Sequence, residues 1–230
     1  MEEPATGLNA GVKAGKLIVA LFRREGVTPE EFGDDLLAGA PDPGIVRYAV
    51  SLLARTGRAS RADAFIEAVF TDPPREGSLD EVLDRMPTFA DIAGTVTAFW
   101  VHERVKLDFE RTWVDGTPTP GVKAVYLAQR HPSLTRRLFD QHWDERHAPL
   151  ALTHHVGMWR YVQNAVVAQA GDALPEIDGI AELWFPTVDD FDHHFIDSPA
   201  GLEVIRRDVA AFAVPDGPPV HLMTEHILRS

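Results

Sequence analysis

The chain has 230 residues, 45% hydrophobic and 25% charged, which is enough apolar mass for a packed core and too much for wholesale disorder. Lys and Arg number 22 against 35 Asp and Glu, a formal charge of −13, and no basic stripe offsets it, so no nucleic-acid partner is expected. The absence of cysteine excludes disulfides, thiolate catalysis and thiolate metal sites.

In chain order, residues 1–15 lack both a basic region and a long apolar stretch, and read as a flexible leader rather than a signal peptide. The longest apolar run, residues 17–22, is too short to span a bilayer. A cytoplasmic protein with no membrane partner is the expectation. KLIVALFRR, residues 16–24, predicts a strand. Thr28-Pro29-Glu30-Glu31 then forms a capping box that starts a helix. Arg47-Tyr48 opens a second strand, and residues 63–70 form a third around Glu67. A second capping box, Ser78 and Glu81, precedes Leu79, Val82, Leu83 and Met86 on one face, which predicts a helix over 78–86. A strand over 96–105 follows, and DGTPTPG, residues 115–121, reads as a linker.

The second half repeats this order. Residues 123–139 lie on 16–32 without a gap, matching Lys123 to Lys16, Arg130 to Arg23, Thr135 to Thr28 and Phe139 to Phe32. A helix over 139–150, an Arg160-Tyr161 strand opening and a strand over 178–185 around Glu182 come next. Helices over 188–196 and from Pro199 follow, the latter with Leu202, Ile205, Val209 and Phe212 at helical spacing, before a last strand over 220–228. The order predicts an α+β fold: two ferredoxin-like β-α-β-β-α-β repeats, 16–110 and 123–230, joined by a linker over 111–122. Their bare sheet faces are expected to close on each other within one chain, a pseudo-dimeric α+β barrel with a hydrophobic cavity between the sheets.

Nine of the ten histidines lie after residue 130, so the second half is expected to supply the site. His142 and His147 are five apart, about 140° around an α-helix, and so do not form a four-apart metal pair. Ala148-Pro149 is expected to stop the helix and leave His147 among unsatisfied carbonyls, either as a structural tie or as a general acid or base. The pairs His154-His155 and His193-His194 read as solvated. On the strand from Arg160, the residues Arg160, Val162 and Asn164 share one face, and Trp159, Tyr161 and Gln163 the other. Glu182 is a carboxylate among apolar strand neighbours, and Arg160 is its candidate partner. No nucleophile elbow, phosphate loop, dinucleotide fingerprint or zinc-spaced cluster occurs, so neither an organic cofactor nor a metal is expected.

Three segments carry a family resemblance: His147-Ala148-Pro149 at a helix end, Arg160-Tyr161 with Asn164, and Ser198-Pro199-Ala200-Gly201 with Asp208 and Phe212. Together they resemble the EthD family of dimeric α+β barrel proteins. The resemblance spans the second half nearly end to end. The first half follows it in outline only and lacks the histidine of the His-Ala-Pro. It implies a barrel closed within one chain, as a monomer or a further homodimer, and it points first to His147, then to Tyr161 and Asn164.

The expected function is a cofactor-independent enzyme acting on a small hydrophobic or aromatic, polyketide-like molecule by cyclisation, decarboxylation, isomerisation or oxygenation. His147, Tyr161, Glu182 and His226 are the candidate catalytic groups. His142, Trp143, Asn164, Trp184 and Tyr126 are the candidate binding groups. A non-catalytic binder of a small molecule or haem, accessory to an oxidative pathway, stands as the alternative.

Overall fold

The computed structural model describes residues 15–39, 41–55, 62–71, 92–215 and 220–230. The leader up to residue 14 and the helix expected over 78–86 lie outside the described residues. Among the described residues there are eight strands: β1 Gly15–Arg23, β2 Ile45–Arg55, β3 Ala64–Phe70, β4 Ala93–Leu107, β5 Val122–Ala128, β6 Arg160–Ala170, β7 Gly179–Phe185 and β8 His221–Arg229. The helices among the described residues are α1 Pro29–Ala38, α2 Arg136–His142, α3 Ala148–His154, α4 Val188–His193 and α5 Pro199–Phe212. A π-helical turn, Trp143–His147, joins α2 to α3. No helix among the described residues is long and apolar enough to cross a membrane.

Local chemistry sets the helix starts. Thr28 Oγ1 accepts from the Glu31 amide at 3.2 Å while the Glu31 carboxylate accepts from the Thr28 amide at 2.9 Å, the reciprocal box that the sequence predicts. Thr135 accepts from the Leu138 amide and Ser198 from the Gly201 amide. Gly201 has a further reason to be glycine, because a Cβ there would stand 2.0 Å from Asp197 Oδ1 and 2.7 Å from His154 Nδ1.

The strands correct the expected fold class. They do not form two ferredoxin-like α+β units stacked face to face. They form one closed antiparallel barrel in the order β1-β3-β2-β8-β5-β7-β6-β4, with β4 returning to β1. The reason is the edges. Two separate sheets would leave four edges of unpaired N–H and C=O groups, and pairing β2 with β8 and β4 with β6 removes them all. The segment read as a linker belongs to the wall as well: the Gly116 and Thr119 amides donate to the Ile227 and Glu225 carbonyls of β8, each at 2.7 Å.

Among the described residues, the side chains that face the barrel interior fall into two parts. Alternate residues of each strand point inward, and eight strands leave an interior that side chains can fill. One part of it is apolar, built from Ile18, Phe65, Phe99, Val125, Ile180 and Met223 among others, with no helical residue. The other part is charged. Lys16 lies 2.6 Å from Glu67 and 2.9 Å from Glu182; Lys123 lies 2.6 Å from Glu182, 3.2 Å from Glu225, and also contacts Glu67. Burial alone would lower both ammonium groups, but the surrounding carboxylates outweigh it and hold them charged. The outward residues of β1 to β4 pack under α1, around Phe32 and Leu36. Those of β5 to β7 pack under α2 to α5, and the site lies in that layer.

Candidate functional site

A cavity of about 620 Å³ lies outside the barrel wall, between β5, β6 and β7 on one side and α3, α5 and the π turn on the other. Its lining is mostly apolar: Leu183, Phe195, Ile205, Val209 and Phe212 contribute walls, and the exposed Arg206 stands at the rim. Four polar rings and phenols face it: His147, His155, Tyr126 and Tyr161. This is the size and character of a small-molecule site.

The π turn arranges the histidines. Pro149 has no amide hydrogen, and its ring would collide with the carbonyl four residues back in a continuous α-helix. The chain widens by one residue instead, with the Ala148 amide donating to the Trp143 carbonyl five positions back. So the helix does not stop at His147, as the Ala-Pro suggests; it continues as α3, and the expected cluster of bare carbonyls is absent. Widening also cancels the 140° offset between His142 and His147. Both reach one carboxylate: His142 Nε2 lies 2.8 Å from Asp208 Oδ1 and His147 Nδ1 lies 2.9 Å from Oδ2. Phe212, one turn after Asp208 on α5, stacks on His142 at 5.0 Å between centroids and tilts against His147 at 5.1 Å.

Burial would raise the Asp208 carboxyl, but the hydrogen bonds from His147 and His142 outweigh it and hold it below the ordinary range. An ionised Asp208 only accepts, so His147 donates Nδ1–H to it, and Nε2 is the nitrogen left for a ligand. That arrangement of carboxylate and imidazole is the one that orients a general base.

His155 is the residue that the sequence reading missed. It is 7% exposed, not solvated, and its Nδ1 donates to the Phe195 carbonyl at 2.9 Å. Burial lowers its pKa to about 4, so its ring is neutral near pH 7. The available signal was spacing: Ala148, Ala151 and His155 recur at helical intervals on the buried face. Its neighbour His154 pairs with Asp197 at 3.1 Å, and His193 and His194 face water as expected.

Tyr161 is fully buried on the cavity-facing side of β6. Its phenol oxygen accepts from Gln163 Nε2 at 2.9 Å and from the Trp143 indole, while burial pushes its pKa up to about 12. With both donors on the oxygen, its own O–H is what it can give to a ligand. Burial also raises the Tyr126 phenol, which stacks on Phe195 at 6.3 Å. Gln163 additionally donates to the Trp143 carbonyl at 3.0 Å, tying the barrel wall to the π turn. Trp143 itself needs Gly179, where a Cβ would stand 2.5 Å from the indole.

The remaining predicted residues do not converge there. Glu182, Asn164 and Trp184 point to the barrel interior, on the opposite side of the wall from Tyr161. Glu182 pairs with the two lysines and with Asn164 Nδ2 at 2.7 Å, not with Arg160, which binds Asp108. The Trp184 indole donates to Glu225 at 3.1 Å, with Lys123 at 4.7 Å from the ring. His226 sits on β8 beside Val50 of β2 and does not line the cavity. No group of three metal-ligating side chains exists among the described residues.

Residues 131–216 match the EthD domain. That span is less than half of the chain. The matched span runs from just before α2 to just past α5, so the EthD domain holds both histidines, Asp208, Tyr161 and most of the cavity. Among solved structures, an anthrone oxidase-like protein superposes with a TM-score of 0.61 over 94% of this chain and 91% of that one, at 13% identity. That likeness establishes the shared fold alone. No curated protein matches the sequence.

Proposed function

We propose that the EthD-domain cavity binds a flat, hydrophobic aromatic ketone and moves a proton from a carbon or oxygen conjugated with its carbonyl. His147 Nε2 takes the proton; the resulting imidazolium stays against the Asp208 carboxylate. The Tyr161 O–H donates to the ketone oxygen as negative charge develops there. The proton then returns from His147, at the same carbon or at another, so the step balances without a cofactor. Isomerisation and cyclisation of such molecules pass through an enolate formed this way; decarboxylation forms the enolate by loss of carbon dioxide, and oxygenation consumes it with dioxygen as the oxidant. The observation that carries the reading is the pairing of an aspartate-held imidazole with a buried phenol in one largely apolar cavity. The neighbouring structure's description as an anthrone oxidase-like protein favours a tricyclic ketone as the probe.

The test is exchange of the methylene protons of anthrone in deuterium oxide, under argon, followed by mass spectrometry. The protein should accelerate exchange, and His147→Ala should abolish the acceleration. Exchange no faster than in buffer would overturn the reading and leave a binding role. Adding haem and recording its absorption spectrum tests the haem-binding alternative, which predicts a shifted spectrum.

A further inference from the structure

His147 and Tyr161 account for the chemistry but not for His155, which lines the same cavity from the end of α3. A carbonyl can only accept, so the contact from His155 Nδ1 to the Phe195 carbonyl fixes the proton on Nδ1. The ring is packed against the Phe195 side chain, 4.4 Å between centroids, which fixes its plane. Nε2 therefore carries a lone pair. Among the described residues it has no hydrogen-bond donor, and it is not one of the polar atoms sealed from contact. The lone pair is part of a wall that is otherwise largely apolar.

We infer that His155 is a specificity residue: Nε2 accepts a hydrogen bond from a hydroxyl group of the ligand, so the site selects hydroxylated polycyclic aromatics over their unsubstituted analogues. This rests on the reading that the cavity holds an aromatic molecule. The two histidines divide the work. His147, bound to a carboxylate, is equipped to accept a proton and carry positive charge. His155, bound to a neutral carbonyl and buried, is equipped to accept a hydrogen bond and stay neutral; burial lowers its pKa to about 4, in keeping with that role. A ligand without a donor at this place strips water from Nε2 and gives nothing back, which is how a polar group in a dry pocket rejects an analogue.

The experiment compares the affinities of 2-hydroxyanthraquinone and anthraquinone, measured by quenching of tryptophan fluorescence, for the wild-type chain, His155→Phe and His155→Gln. The wild-type chain should prefer the hydroxylated probe about tenfold, the value of one good hydrogen bond. His155→Phe keeps a ring against Phe195 but has no acceptor, and should bring the ratio to within about twofold; His155→Gln restores an acceptor and should recover part of it. The ¹⁵N resonance of His155 Nε2 in the wild-type chain should move with the hydroxylated probe and not with the other, a change that a merely structural histidine would not show. Equal wild-type affinities, or an unmoved Nε2 resonance, would overturn the inference while the cavity reading stood. Failure of both probes to bind would instead remove the aromatic occupant itself.

Discussion

Asp208 decides which nitrogen of His147 faces the cavity. An asparagine at that position can offer its amide hydrogens to Nδ1, which would force the proton onto Nε2 and remove the base. Asp208→Asn is therefore expected to slow anthrone exchange by about 10²-fold to 10⁴-fold with little change in probe affinity. A rate within threefold of wild type would show that His147 does not act through Asp208. At this scale the sequence was partly legible. His147, Tyr161, Trp143 and Tyr126 can be named from residue type and family resemblance, and all four line one cavity. His155 was passed over because His154-His155 reads as a solvated pair, although its spacing from Ala148 and Ala151 carried the signal. Glu182 and Asn164 were chosen correctly as buried polar residues. They lie in the barrel interior, where the sequence reading put the cavity, whereas the cavity lies on the other face of a wall whose two faces alternate with every residue.

The π turn is the element on which the site depends, and two contacts from the barrel wall keep it in place. Gln163 donates to the Trp143 carbonyl, and the indole lies against Gly179 with no room for a methyl group. Gly179→Ala must move the indole, because the neighbouring atoms belong to a rigid ring. It should cost about 1–3 kcal/mol and withdraw the Trp143 hydrogen bond from Tyr161. The check is a thermal unfolding curve together with the ultraviolet titration of the tyrosines. An unchanged melting temperature and an unchanged titration would mean that Trp143 is not held by the wall. Capping chemistry made α1 legible at this scale, since Thr28 is found on a backbone amide. The helices α2 and α5 also start on hydroxyl caps, but α5 reads from its helical spacing and the sequence reading places α2 three residues late. The π turn was not legible, because a proline in a helical pattern reads as a stop and not as a one-residue widening.

Across the whole molecule, closure of the barrel joins an apolar cluster and a charged cluster in one interior. Lys16 and Lys123 are matched in the two halves of the sequence, and Glu67 and Glu182 are as well, so the pattern was visible in the chain. Its meaning was not, because which strand edges join is a matter of three-dimensional twist. Lys123→Met would leave Glu67, Glu182 and Glu225 short of a buried cation, and is expected to cost about 3–5 kcal/mol in a urea unfolding experiment. A loss under about 1 kcal/mol would show that the interior is wetter than its burial implies. Acid should act earlier than on an ordinary carboxylate-stabilised fold. His155 and His221 are both lowered by burial to about 4, from an ordinary value of 6.5. The unfolded chain takes up protons there first, so stability is complete above pH 6.5 and falls as the pH drops towards 4, by about 2 kcal/mol per histidine at pH 5. A urea midpoint that stays flat between pH 7 and pH 5 would contradict this. The location of the occupant tests the account most directly: a crystal structure with 2-hydroxyanthraquinone. The rings should lie outside the barrel between Tyr126, Tyr161 and Phe195, with an oxygen in reach of His147 or His155. Rings found inside the barrel, among Lys16, Lys123 and Glu182, would contradict it.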